Sequence, residues 1–324
     1  MDLLIGGIAA VGAGVFTNPL EVIKTRMQLQ GELAAKGQYT VHYRNILSAS
    51  YVIIKHDGIL SLQAGLTPAL WFQFVMNGTR LGRYIIQRFK AFKTVVVGTY
   101  QILYDKGYTK DKNGNSIFYK SVLVGGVCGM LGAWTGSPLY LVKTHLQAQA
   151  AKEIAFGHQH NHEGAWQAFK HIYNAQGIKG LFRGGASSMP RAFSGSTSQL
   201  TSFSYCKEWL LNYPTFQNSP VLTAFVASMT SGVVIGLCMT PFDLIALRLY
   251  NQGVDSEGRG LLYKNYTDCV VKIYKSEGLL GFSKGLSGNY FRLGPHTVLC
   301  LMFWDYYKDL YGRFRAKHRQ QVNV

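Results

Sequence analysis

The sequence predicts an all-α membrane protein: six transmembrane helices in three pseudo-symmetric repeats, joined by short amphipathic helices. Three observations carry that prediction. One unit recurs three times, each copy holds two apolar stretches long enough to cross about 30 Å of hydrocarbon, and the mean hydropathy is only +0.04. So low a value fits helices that turn polar faces inward around a wet cavity. The chain has 324 residues, 48% of them hydrophobic, which excludes a disordered chain. Lys and Arg exceed Asp and Glu by 33 to 16, a net charge of +17. That excess suits nucleic acid, anionic lipid or an anionic solute, so it must be located before it discriminates. The five cysteines, at 128, 206, 238, 269 and 300, form no CxxC pair and are odd in number. They read as reduced thiols rather than a disulfide or zinc framework.

The first helix is predicted over 2–28. Its run Leu3 to Phe16 imitates the apolar core of a secretory signal, but Asp2 stands where a basic segment belongs and no Ala-x-Ala site follows. An Arg-rich transit peptide is equally absent from the pattern. Pro19 then opens the repeating unit: Pro19-Leu-Glu21-Val-Ile-Lys24, Pro138-Leu-Tyr140-Leu-Val-Lys143 and Pro241-Phe-Asp243-Leu-Ile-Ala246 each follow a Gly/Ala-rich apolar run. Each has an echo, Asp57-Gly58, Gln176-Gly177 and Glu277-Gly278, closed by Gly65, Gly184 and Gly285. The remaining long helices are predicted over 66–92, 118–148, 185–211, 219–250 and 286–312. The repeats occupy 1–92, 118–211 and 219–312, with the polar segment around Asp105 to Ser116 as a connector. Small residues spaced by three and four, such as Gly125, Gly129 and Gly132, suit close helix approach in lipid.

Each proline is followed at +2 and +5 by the positions that carry acid and base. Charges at that depth cost roughly 2.5 to 3.5 kcal/mol each unless paired. If the three odd helices meet on an axis and the acid of each repeat pairs with the base of the next, the pairs are Glu21 with Lys143, Tyr140 with Ala246, and Asp243 with Lys24. Both departures from charge then fall in one pair, which leaves no orphan. The alternative is an i, i+3 pair within one helix, such as Glu21 with Lys24.

The triplicated Pro-x-acid-x-x-base, with acid-Gly-x4-aromatic-base-Gly, resembles the mitochondrial carrier family, solute carrier family 25, over essentially the whole chain. Finer runs are similar to its oxaloacetate-type subgroup: Asn18-Pro-Leu-Glu-Val-Ile-Lys-Thr-Arg-Met-Gln-Leu-Gln-Gly31, Val142-Lys-Thr-His-Leu-Gln-Ala-Gln149, Arg248-Leu-Tyr-Asn-Gln252 and Tyr290-Phe-Arg-Leu-Gly-Pro-His296. The resemblance implies a monomeric multi-pass transporter of the mitochondrial inner membrane. Both termini face the intermembrane space, and access alternates around a central site. It implies no enzymatic chemistry and no cofactor, with cardiolipin as bound lipid. At the matrix gate it places Glu21, Lys24, Lys143 and Asp243 in two bridges, Tyr140 at a lost third, and Gln28 and Gln147 as bracing glutamines. Tyr250 takes the third bracing place. The closing motif is complete only at Phe182-Arg183-Gly184, which weakens the expectation of cardiolipin at the other two sites. At the cytoplasmic gate it places Arg88, Lys207, Asp305 and Lys308. Only Asp305 with Arg88 can pair there, so that gate is expected to be the weaker.

The resemblance puts Phe72, Arg191 and Arg292 at mid-cavity contact positions, seven residues past each closing glycine. Eight further on stand Arg80, Gln199 and Cys300 on nearly the same face. Arg80, Arg191 and Arg292 make the cavity positive, and guanidinium forks bind carboxylate or sulfate bidentately. Gln73, Asn77, Asn289 and His296 are the polar contacts expected beside them. Bonding between helices is the competing role for the two central arginines, and plain packing for Gln73 and His296. A role for His296 in proton coupling also stays open, since imidazole titrates near neutral pH. The expected substrate is oxaloacetate or a related small dicarboxylate, with sulfate in the same class, moved by exchange. The alternatives keep the fold and change the solute to phosphoenolpyruvate, a tricarboxylate, or a proton and fatty-anion leak. A basic membrane-anchored binding protein is the reading from another class, but nucleic acid is disfavoured because no basic stripe with interleaved aromatics lies outside the helices. The run Gly157-His-Gln-His-Asn-His-Glu163 offers three imidazoles, His158, His160 and His162. It lies in a polar connector with no second ligand cluster, so it reads as a solvated loop without a metal.

Overall fold

Repeats 1 and 3 open with a helix long enough to hold its proline internally, and in each repeat a short amphipathic helix lies at the end where the prolines sit. The computed structural model describes residues 2–34, 43–81, 118–217, 219–255 and 258–322. Repeat 1 has α1 (Asp2–Leu29), α2 (Ile46–Asp57) and α3 (Leu66–Leu81); repeat 2 has α4 (Phe118–Thr135), α5 (Ser137–Ala148), α6 (Ala165–Leu181), α7 (Gly185–Leu210) and the short α8 (Pro214–Gln217). Repeat 3 has α9 (Pro220–Asn251), α10 (Tyr266–Glu277) and α11 (Leu286–Val322). Residues 82–92 and the connector Asp105 to Ser116 lie outside the described residues.

One expected helix is broken. The span predicted over 118–148 is two helices, α4 and α5, bent by 66°. Pro138 has no N–H to continue the ladder. The Thr135 hydroxyl takes the carbonyls of Leu131 and Gly132 at 3.1 and 3.0 Å, and the chain turns at Gly136. Pro19 and Pro241, by contrast, lie inside unbroken α1 and α9. The last helix also runs beyond the predicted 312, to Val322.

The helices pack in a closed ring: α1 touches α3, α3 touches α4 and α5, α4 touches α7, α7 touches α9, α9 touches α11, and α11 returns to α1. At the proline end α1, α5 and α9 also meet one another across the ring. The short helices bury corresponding pairs one turn apart, Ala49 and Ile53, Ala168 and Ile172, Cys269 and Ile273. Asn45 and Asn265 cap α2 and α10 through 2.8 Å bonds from the N–H groups of Ser48 and Asp268. Gly164 stands at the matching place before α6 without a side-chain cap.

The closing glycines record the cyclic order. Gly65, Gly184 and Gly285 have φ of 66°, 78° and 79°, left-handed values that a Cβ resists. Each is packed against the bracing position of the next repeat: Gly65 on Gln147, Gly184 on Tyr250, Gly285 on Gln28.

Charge is buried at the axis while large apolar side chains stand on the outside. Glu21, Lys24, Lys143, Arg191, Asp243 and Arg292 are buried, whereas Phe16, Trp71, Val233, Leu237, Phe291 and Met302 are exposed. A surface so apolar calls for cover. Among the described residues one helix, Leu222–Asn251, is long and apolar enough by composition to cross a membrane, and the bent α4–α5 pair passes the same test as a broken span. All five cysteines are free thiols.

Candidate functional site

The prolines set the site. Two and five residues past each one, α1, α5 and α9 turn their side chains to the axis, where the three helices converge. Lys143 Nζ lies 2.6 Å from Glu21 Oε2, and Lys24 pairs with Asp243. The pairs link helices of neighbouring repeats, so the cyclic rule decides against pairing within one helix. Gln28 donates to Asp243 at 3.3 Å. Gln147 does not brace the Glu21 pair: it donates to Asn18 Oδ1 at 3.1 Å and accepts from the Thr25 hydroxyl at 3.3 Å. The Gln63 amide beside the closing glycine of repeat 1 explains the shift, for its oxygen accepts from Asn18 at 3.1 Å and so orients that amide toward Gln147.

At the third pair the charges are replaced by rings. Tyr140 packs on Phe72 and Tyr250, with centroids 5.2 and 4.9 Å away, while Ala246 is fully buried beneath. The Arg191 guanidinium lies 4.6 Å over the Tyr140 ring, a cation–π contact. Tyr250 holds its hydroxyl 2.9 Å from that of Ser137.

Above this layer is a cavity of about 280 Å³, lined among others by Phe72, Gln73, Gln199, His296 and Cys300. Arg191 and Arg292 reach it from α7 and α11, but neither is unpaired. Arg292 donates to Glu21 Oε1 at 2.9 Å, and Arg191 Nη1 is 3.8 Å from Asp243 Oδ1. The arginines therefore join the bonding between helices and line the cavity at once. Four cations, Lys24, Lys143, Arg191 and Arg292, face two carboxylates on the cavity floor, an excess of two positive charges. The His296 ring sits between Thr17 Oγ1 at 3.0 Å and Cys300 Sγ at 3.6 Å.

Asn289 is a correction. Expected against substrate, it is fully buried and donates to Thr240 Oγ1 at 2.9 Å and to Asp243 Oδ2 at 3.4 Å. One turn before Arg292, its face of α11 meets α9 rather than the cavity. Lys207 is exposed on α7. Arg88 and the side chains of Asn77, Arg80, Asp305 and Lys308 lie outside the described residues.

A second tier of ion pairs escaped the sequence reading. Arg26 pairs with Asp57, and Arg248 with Glu277, whose carboxylate also lies 2.6 Å from Lys284. Burial works against ionising Glu277, but Arg248 and Lys284 outweigh it and hold its carboxyl below the usual range. The signal was present: both bases stand seven residues past their prolines, and both acids open the echo. Repeat 2 has His145 and Gln176 at those places. Its histidine loop is not the solvated loop expected, for His160 and His162 are half-buried and stack beside His145.

A ring of helices whose floor is crossed by ion pairs, beneath an electropositive cavity, defines the class of a solute carrier. The sequence profile of the mitochondrial carrier protein family matches residues 1–92, 114–214 and 217–315. The chain belongs to that family, whose members are transporters rather than enzymes. It is 46% identical to solute carrier family 25 member 35 of Mus musculus, covering 97% of this chain and 99% of that one. It is 36% identical to a mitochondrial oxaloacetate transport protein of Saccharomyces cerevisiae, over 93% and 86% of the two chains. Mitochondrial citrate transporter E of Aspergillus niger is 35% identical, over 91% and 88%. The protein is thus a transporter of the mitochondrial membranes.

Proposed function

We propose that the protein carries small dicarboxylates such as oxaloacetate across the mitochondrial inner membrane, by exchange. Six spans in three repeats form the carrier, and its ring of helices is closed at the matrix end. One observation carries the reading: the floor of the cavity holds two positive charges more than negative ones, in guanidinium forks suited to planar carboxylates. A dianion neutralises that excess. A monoanion leaves half of it uncompensated, and a trianion such as citrate overshoots. The cavity also suits a small metabolite, since pockets for drug-sized ligands begin at about 300 Å³.

The arginines sit on the gate acids, which suggests how binding opens the gate. A carboxylate arriving at Arg292 and Arg191 competes with Glu21 and Asp243 for the same donors. Ligand and gate then share donors, and only a dianion replaces both acids at once. Exchange follows, because an empty carrier has nothing to offset breaking the two buried bridges and so changes face only when loaded. Cardiolipin is expected at the closing motif around Arg183, and the carrier works as a monomer.

The tricarboxylate alternative draws on the Aspergillus relative. Uptake into liposomes preloaded with a dicarboxylate separates the readings. Labelled oxaloacetate, malonate and sulfate should enter, and citrate, phosphoenolpyruvate and monocarboxylates should enter at least tenfold more slowly. Faster entry of citrate or of a cationic solute contradicts the proposal.

A further inference from the structure

We propose that the protein binds one divalent ion of the zinc type at the proline end of repeat 2, through His145, His160 and His162. One ring nitrogen from each lies within 4.8 Å of one from each of the others. His145 belongs to α5 and is 2% exposed, while the other two come from the loop before α6.

Hydrogen bonding fixes which nitrogens are free. His145 Nε2 lies 2.9 Å from the Tyr250 carbonyl oxygen, and His160 Nε2 lies 2.9 Å from that of Asn251. A carbonyl only accepts, so both Nε2 atoms carry the proton and both Nδ1 atoms present a bare lone pair. Metal-binding histidines use this arrangement, with the outer N–H on a backbone carbonyl and the inner nitrogen on the ion. Two of the candidate ligand atoms, His145 Nδ1 and His162 Nε2, are buried without a hydrogen-bond partner. Orphaned buried acceptors are costly and uncommon.

The other repeats show what has changed. Where they carry Arg26 with Asp57 and Arg248 with Glu277, repeat 2 carries His145 with Gln176, which removes the acid from that place in the pattern. The space is taken by His160, stacked on His145 at 3.4 Å, and by His162 at 5.7 Å. Zinc–imidazole bonds of about 2.0–2.1 Å require the nitrogens to close by about 1 Å and the stacked rings to tilt apart. His162 lies on the loop, which can supply that adjustment. The three rings leave a fourth position for water, and His171 of α6, exposed with its ring 5.5 Å from that of His162, stands next to the group without belonging to it.

The test needs no transport. Tag-free full-length protein in detergent is stripped with chelator and titrated with Zn²⁺ against a chromophoric competitor, with Co²⁺ as a spectroscopic stand-in. One equivalent should bind and raise the unfolding temperature, and Co²⁺ should give the absorption of a tetrahedral nitrogen site. His162→Gln, on the loop, and His160→Gln should each weaken binding at least tenfold, while His56→Gln should not. Absence of stoichiometric binding by the unaltered protein, or unchanged binding in a folded His162→Gln variant, overturns the proposal.

Discussion

Tyr140 and Ala246 occupy the places of an acid and a base, and of the two the base could not return alone, since a cation already covers the Tyr140 ring. A lysine at 246 would lie among Tyr140, Tyr250 and Arg191, and the nearest carboxylate, Asp243 one turn earlier, is already shared by Lys24 and Arg191. Ala246→Lys should therefore lower the unfolding temperature by several degrees, and adding Tyr140→Glu should recover at least half of the loss by completing a third bridge. A double variant less stable than Ala246→Lys alone contradicts the cyclic pairing. Asp243 bears more than its bridge, since Lys24, Gln28, Arg191 and Asn289 all converge on it. Asp243→Asn strands two buried cations and should cost about 3–5 kcal/mol, measurable by thermal or denaturant unfolding in detergent. Replacing Lys24 and Asp243 together by apolar residues should cost less than Asp243→Asn alone.

Among the elements, the connector before α6 answers to pH. Burial pushes His160 down to about 3, against the opposing bond to the Asn251 carbonyl. The unfolded chain takes up a proton near pH 6.5 that the folded chain refuses, so this contribution to stability is complete above pH 6.5 and declines as pH falls toward 3. The slope reaches at most about 1.4 kcal/mol per pH unit. In chelator, His160→Gln should flatten the dependence of unfolding temperature on pH between 7 and 5; an unchanged slope refutes this assignment. Gly184 illustrates a different constraint. Its φ is 78°, and an added Cβ would stand 3.0 Å from the Tyr250 ring, so Gly184→Ala should destabilise by more than the roughly 1 kcal/mol of the backbone term.

Much of this was legible because the chain repeats itself. Three offset copies of Pro-x-acid-x-x-base give the neighbours in a ring without any tertiary information, and the ion pairs follow. Local chemistry was harder to read. Arg191 and Arg292 could be placed in the cavity, but their pairing with Asp243 and Glu21 depends on which helix faces which, and Asn289 differs from Arg292 only by one turn. The break at Gly136 could not be read from periodicity, since Pro138 interrupts its helix whereas Pro19 and Pro241 do not. His145 was hidden for another reason: its partners come from a loop beyond the next turn, and loops carry no phase.

For the whole molecule, the two bridges and the arginines that share their acids tie α1, α5, α7, α9 and α11 together at the proline end. Exchanging Glu21 and Lys143 should preserve part of the uptake lost in either single reversal, and should affect transport more than exchanging Asp305 and Arg88; an equal effect removes the asymmetry between gates. The central claim concerns charge number. The most direct measurement is the ratio of kcat/KM for a dicarboxylate to that for the monocarboxylate of matching length, in the unaltered protein, in Arg292→Gln and in Arg191→Gln/Arg292→Gln. The ratio should fall at each step as the surplus drops from two charges to one and then to none. A ratio that stays constant while overall uptake declines would mean that the arginines only hold helices together and that selectivity arises elsewhere.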